Sequence, residues 1–138
     1  MKILDTNVVS ELMREVPDGK VACWVEAQPI ESLGVTVITL AEIGRGLKRL
    51  PAGRRREDLE RRFFDFIERG FHGRVFAFDE RAASCYGEIA AGREAAGLHV
   101  DAVDLMIAAI AKDAGATVVT RNTGDFEGCG IGLINPWE

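Results

Sequence analysis

Residues 102–120 read AVDLMIAAIAKDAGATVVT, and this stretch decides the fold. Ala102–Ala114 has the length and character of a helix, and Thr117–Thr120 behind it reads as a short strand. From Ala102 to Ala111 the only polar residue is Asp104. A helix that is apolar on all sides is a buried one. Outward from it the same alternation continues. Strand-length apolar runs at Lys2–Leu4, Leu33–Val37, Val75–Phe78 and Ile131–Ile134 alternate with helical segments at about Thr6–Arg14, Val21–Ala27, Leu40–Leu50, Arg54–Arg69 and Glu80–Ala96. Pro17-Asp18-Gly19 and Pro51-Ala52-Gly53 interrupt the chain, and Asp79 is a good N-cap for the long helix after it. The expectation is an α/β domain over residues 1–138, with a central parallel sheet of four to five short strands.

The totals exclude several classes. With 138 residues, 47% apolar and 28% charged, the chain resembles an ordinary globular domain. No run approaches the roughly 20 apolar residues of a membrane span, and Asp5 interrupts any apolar opening, so neither membrane insertion nor a signal peptide is expected. Cys23, Cys85 and Cys129 are odd in number and match no metal or redox spacing, which points to reduced thiols and a cytoplasmic location. Net charge is 17 − 22 = −5, which argues against a passive basic nucleic-acid binder.

Four acids distinguish the chain. In a parallel sheet the helix after each strand begins at the carboxyl edge, where ligands of open α/β folds gather. Asp5 ends the first strand, Glu42 is expected in the first turn of the helix after the second, and Asp104 begins the helix leading into the fourth strand. Asp125 follows the fourth strand after a short loop. Each has a bland explanation: Asp5 as a cap, Thr39-Leu40-Ala41-Glu42 as a capping box, Asp125 as a turn aspartate. None of these explains the shared edge. Asp104 is the most informative, because a lone carboxylate on a buried helix must be neutralised, hydrogen-bonded or bound to a cation. Asp101, one turn earlier, reads as a helix cap.

Carboxylates without nearby His or Cys select hard cations, here Mg²⁺ or Mn²⁺ rather than Zn²⁺. His72 and His99 lack metal-ligand spacing, and no Ser-His-Asp or Cys-His arrangement competes. A hard cation in an acidic cup serves phosphoryl transfer. Positive charge is concentrated in Arg45, Lys48, Arg49, Arg54, Arg55, Arg56, Arg61 and Arg62. Arg45, Lys48 and Arg49 share a helix with Glu42 and are the expected phosphate contacts, whereas Glu57–Arg61 and Asp58–Arg62 are expected as i,i+4 pairs on a solvated helix.

Four motifs carry a family resemblance. Ile3-Leu4-Asp5-Thr6-Asn7-Val8-Val9-Ser10-Glu11-Leu12 resembles the first motif of PIN-domain nucleases, and Thr39-Leu40-Ala41-Glu42-Ile43-Gly44-Arg45-Gly46 the second. Asp104-Leu105-Met106-Ile107-Ala108-Ala109 is similar to the third, and Thr120-Arg121-Asn122-Thr123-Gly124-Asp125-Phe126 to the fourth. Ile134-Asn135-Pro136-Trp137 resembles the tail of VapC- and FitB-like toxins. The resemblance implies a three-layer α/β/α fold and an Mg²⁺/Mn²⁺-dependent endoribonuclease that hydrolyses RNA with activated water. It further implies a homodimer and a cognate, DNA-binding antitoxin that blocks the site. Asp5, Glu42, Asp104 and Asp125 carry over as metal-binding and catalytic acids, and Thr6, Asn7 and Thr120 as groups that orient an acid or water.

Rival readings fare less well. A haloacid-dehalogenase phosphatase needs a second Asp where Asn7 stands, and a response-regulator receiver needs an acidic pair and a late Lys that are absent. A PIN nuclease of RNA processing without an antitoxin, or a subunit of a regulatory DNA-binding complex with weak nuclease activity, remain the alternatives.

Overall fold

The computed structural model describes residues 1–138. In chain order the elements are β1 (Lys2–Leu4), α1 (Thr6–Leu12), α2 (Gly19–Glu26), β2 (Leu33–Thr36), α3 (Val37–Lys48), α4 (Arg54–Phe71), β3 (Val75–Phe76), α5 (Glu80–Ala95), α6 (Ala102–Ala114), β4 (Thr117–Val119) and β5 (Leu133–Ile134). Two 3₁₀ turns, Ile30–Ser32 and Thr123–Phe126, lie where the sequence pattern carries no periodicity to announce them. The five strands form one all-parallel sheet in the order β3-β2-β1-β4-β5.

Period-two alternation divides the core between the two faces of this sheet. Ile3 and Val118, paired in register, point into a cluster built with Leu105, Ile107, Ile110 and Ile89 of α6 and α5. Their neighbours Leu4 and Val119, also paired, point the other way, onto Val8, Val9, Val21, Ile43, Ile67 and Phe71 of α1 to α4. The result is the expected three-layer α/β/α architecture. α6 is buried as its composition demands, with Ile107, Ala108, Ala109 and Ala111 fully enclosed. It stops at Gly115, whose left-handed φ of 65° suits glycine and lets its N–H reach the carbonyls of Ala111 and Lys112.

Boundaries differ most around α3. The helix begins at Val37 rather than Leu40, and β2 ends at Thr36. Thr36 keeps extended backbone angles and its hydroxyl accepts from the Thr39 amide at 3.2 Å, so Thr36 is the N-cap. The capping box expected at Thr39–Glu42 is therefore not formed, and Glu42 sits in the second turn. α1 ends at Leu12, and β3 and β5 are two residues each. Gly34 on β2 is required by close packing, because a Cβ there would lie 2.7 Å from the Phe76 ring.

Strand order sets the place of the site. From β1 the chain moves outward through β2 to β3, then crosses back to lay β4 and β5 on the other side of β1. The order reverses between β1 and β4, and the crevice beyond the carboxyl ends of those strands is where such folds bind ligands.

Candidate metal centre

Asp5 leaves the end of β1 directly into that crevice and is only 4% exposed. It is also the N-cap of α1, as its bland explanation had it: Oδ1 accepts from the Thr6 amide at 2.8 Å. Capping uses one oxygen only. Oδ2 accepts from the Thr120 hydroxyl at 2.8 Å and from the Asn7 side-chain amide at 3.3 Å. Thr120, fully buried at the end of β4, accepts in turn from the Asn7 amide and from the Asn122 backbone. Burial pushes the Asp5 carboxyl above its ordinary range, the hydrogen bonds from Thr120 and Thr6 pull it back, and the charges of Glu42 and Asp125 raise it further.

Glu42 is solvent-exposed, and its Oε1 accepts from the Thr6 hydroxyl at 2.5 Å. Thr6 Oγ1 also lies 3.0 Å from the Thr39 hydroxyl. A hydroxyl has one proton to give; Thr6 gives it to Glu42, so Thr39 is the donor to Thr6. Thr6 thus touches both acids, Asp5 through its backbone and Glu42 through its side chain. The buried Thr39 supports this chain of contacts, a role that reading it as a helix cap concealed. Its position one turn before Glu42 on α3 is the signal that could have found it.

Asp104 is half-buried in the first turn of α6, and no donor within the chain holds its carboxyl. Its pKa is pushed up to about 7, first by burial and then by Asp101, Asp5, Asp125 and Glu42. Asp101 caps α6, accepting from the Asp104 amide at 3.0 Å. Asp125 is exposed on the Thr123–Phe126 turn, close enough for its charge to be felt at both Asp5 and Asp104. Five carboxylates from four segments therefore share one rim, and no Lys, Arg or His forms an ion pair with any of them.

Such a rim fits a hard cation. The donors are all oxygen, their mutual repulsion is uncompensated, and Asp104 holds a proton near neutrality in place of a counter-charge. No three of the side chains close around one point as a finished cage.

The basic residues distribute differently from expectation. Arg45 and Arg49 are exposed and in no ion pair, but Lys48 donates to Glu60 of α4 at 2.8 Å. Lys48 is six positions from Glu42 and turns away from it, toward α4. The Glu57–Arg61 and Asp58–Arg62 pairs are not formed; Glu60 takes Lys48 and Arg56 instead. Sequence reasoning also passed over Arg93, which is 4% exposed and binds the carbonyls of His99 and Glu127.

Residues 2–128 match the family model of the PIN domain, and the chain belongs to that family. It is 43% identical to the plasmid stability protein StbB of Pseudomonas syringae pv. tomato, covering 100% of this chain and 99% of that one. The VapC ribonuclease Y4jK of Sinorhizobium fredii is 41% identical with the same coverage. Among solved structures, FitAcB from Neisseria gonorrhoeae superposes with a TM-score of 0.94 at 36% identity, covering 100% of this chain and 99% of that one. FitAB bound to an IR36 DNA fragment has the same score and identity, with 100% and 96% covered. The fold expected from the four motifs is the fold of these relatives.

Proposed function

We propose that this chain is the ribonuclease toxin of a toxin–antitoxin pair, cutting RNA with Mg²⁺ or Mn²⁺ held by Asp5, Glu42, Asp104 and Asp125. The observation that carries the reading is the set of carboxylates from separate segments at the β1/β4 crevice with no cationic partner. When bound, the cation supplies polarisation of the scissile phosphate and a lowered pKa for an attacking water.

The chain's own residues divide the remaining work. Asp5 accepts three hydrogen bonds, from Thr6, Asn7 and Thr120, of the roughly four a carboxylate can take, so it is a fixed ligand with little freedom to swing. Glu42 is anchored through one oxygen by Thr6, leaving Oε2 unengaged. Asp104, raised to about 7 by burial and by its acidic neighbours, would hold the ion as a carboxylate. Thr6, Asn7 and Thr120 orient these acids, and such partners set carboxylate geometry at metal sites. Asp101 remains a cap at the rim.

The partner follows from the relatives. One is named a VapC ribonuclease, and the FitAB complex is bound to DNA. By likeness this chain pairs with a DNA-binding antitoxin that covers the acids, and acts in the cytoplasm as a homodimer. No helix is long and apolar enough to cross a membrane.

The test is purified chain, free of antitoxin, incubated with total cellular RNA in Mg²⁺ or Mn²⁺, beside EDTA and Asp104→Asn controls, with ends mapped by sequencing. Discrete cuts that vanish in both controls are the expected result. Folded protein that loads metal and cuts nothing would shift the assignment to the regulatory complex.

A further inference from the structure

Two grooves meet on the α1/α3/α4 side of the molecule. One, of about 310 Å³, starts at Thr6 and Glu42 and runs between α1 and α3 to Met13, Arg14 and Leu59. The second, of about 770 Å³, shares those same three residues as walls and continues past Arg54, Arg55 and Arg62, with Glu15 and Asp58 as its acids. Together they form one trough from the acidic rim to a basic end. Four arginines against two acids leave that end at +4 − 2 = +2, in a chain whose total is −5.

The arginines are placed against local preference. Arg54, Arg55 and Arg56 fill the first turn of α4, where the helix dipole disfavours positive charge, and the N-cap Gly53 supplies no side chain to satisfy the amides. Arg56 is occupied within the chain, donating to the Leu50 carbonyl and lying 3.4 Å from Glu60. Arg54, Arg55 and Arg62 are exposed and enter no ion pair, and Arg14, just past the end of α1, has only Glu11 at 3.2 Å. Nothing in the fold uses the three free guanidiniums.

The geometry points to a phosphate-binding trough: Arg14, Arg54, Arg55 and Arg62 hold the backbone of the RNA strand leading to the bond cut at Asp5 and Glu42. This inference rests on the nuclease reading above and moves the main phosphate contacts from Arg45, Lys48 and Arg49 to the start of α4. Guanidinium groups suit the task, since they bind phosphate through paired donors and keep their charge at any working pH. The adjoining rim of carboxylates explains the division: an anionic strand is held at the basic end and admitted to the acidic end only where a cation offsets the repulsion.

The test uses the full chain carrying Asp104→Asn, in Mg²⁺, with a fluorescein-labelled single-stranded RNA oligonucleotide read by anisotropy across a salt series. Combined Arg54→Gln, Arg55→Gln and Arg62→Gln substitutions relieve the dipole conflict, so folding is retained. Affinity should fall on the order of tenfold or more, and the slope of log K against log salt by roughly 2, at about 0.7 per lost contact. Arg81→Gln on α5, across the sheet and paired with Asp113, should leave the slope as it was. An unchanged slope in the triple variant, or an equal loss in Arg81→Gln, overturns the trough. So does intact RNA binding alongside lost binding of a fluorescent poly-glutamate peptide, which would assign the groove to an acidic protein segment. Cleavage of total RNA by the native chain is scored separately: its absence with a reduced slope would remove the nuclease reading and leave the trough standing.

Discussion

The Thr120 hydroxyl donates to Asp5 Oδ2 at 2.8 Å, tying the end of β4 to the end of β1 across 115 residues of chain. This bond is fully enclosed and connects the two strands between which the sheet reverses its order. Thr120→Val removes the donor while keeping the shape. Because Thr120 lowers the Asp5 pKa, its loss lets burial raise that value further. The expected cost is about 1.5–3 kcal/mol, the range for a hydrogen bond to a charged group, read by urea unfolding at neutral pH. Thr120→Ser should restore most of it.

Stability without metal should depend on pH through Asp104. Its folded pKa is about 7 against an ordinary 3.8, so between those values the native state holds a proton the unfolded chain has released. Stability therefore falls as pH rises through that window. Melting temperatures in EDTA should decline from about pH 5 to pH 7, and less steeply in Asp104→Asn, where only the raised Asp5 remains; that variant should also melt higher than the native chain at neutral pH. A pH profile identical in the two proteins would remove Asp104 as the source.

Divalent cations should reverse that decline. Mg²⁺ or Mn²⁺ at 100 times its dissociation constant adds about 2.7 kcal/mol of stability to a protein that binds it only when folded. Thermal shifts measured at pH 7 should rise with either ion and return to baseline with EDTA. The rise should be lost in Asp5→Asn and in Asp104→Asn.

Thr6 should be a positioning residue for Glu42. Thr6→Val deletes the 2.5 Å bond to an exposed carboxylate and the acceptor of the buried Thr39 hydroxyl, so stability should fall by about 1–3 kcal/mol. RNA cleavage and metal affinity should fall about 10–100-fold, the usual effect of losing a partner that orients a ligand. Thr6→Ser should recover both in titrations of Mn²⁺ and in initial cleavage rates.

Arg93 should matter to both the fold and the rim. It clamps the His99 carbonyl, two residues before Asp101, and the Glu127 carbonyl, two residues after Asp125. Arg93→Met keeps the apolar stem and removes the donors to the His99 and Glu127 carbonyls, at an expected cost of about 1.5–3 kcal/mol by chemical denaturation. Cleavage by the remaining folded fraction should also drop, because two acid-bearing segments lose a common support.

Much of this was legible in the residues. α6 was readable to its ends because its signals are local: an apolar run, Asp101 before it and Gly115 after it. α3 was not, because two threonines compete for the cap and only packing of β2 decides between Thr36 and Thr39. Lys48 lies on the helix of Glu42, and helical angle alone does not reveal that Glu60 of α4 stands opposite it. Arg93 could not be identified, since a buried arginine held by carbonyls has no distinguishing neighbours in sequence.

By itself the chain determined what short-range chemistry determines: the α/β alternation, most caps, the four acids and the edge on which they fall. Tertiary structure alone decided which strands adjoin, and with that the β1/β4 crevice, the Thr39–Thr6–Glu42 and Thr120–Asp5 chains, and the trough shared by α1, α3 and α4. The reason is range. Periodicity and capping act over a few residues and are written in their order, whereas a hydrogen bond between Asp5 and Thr120 exists only once the sheet has brought the two strand ends together.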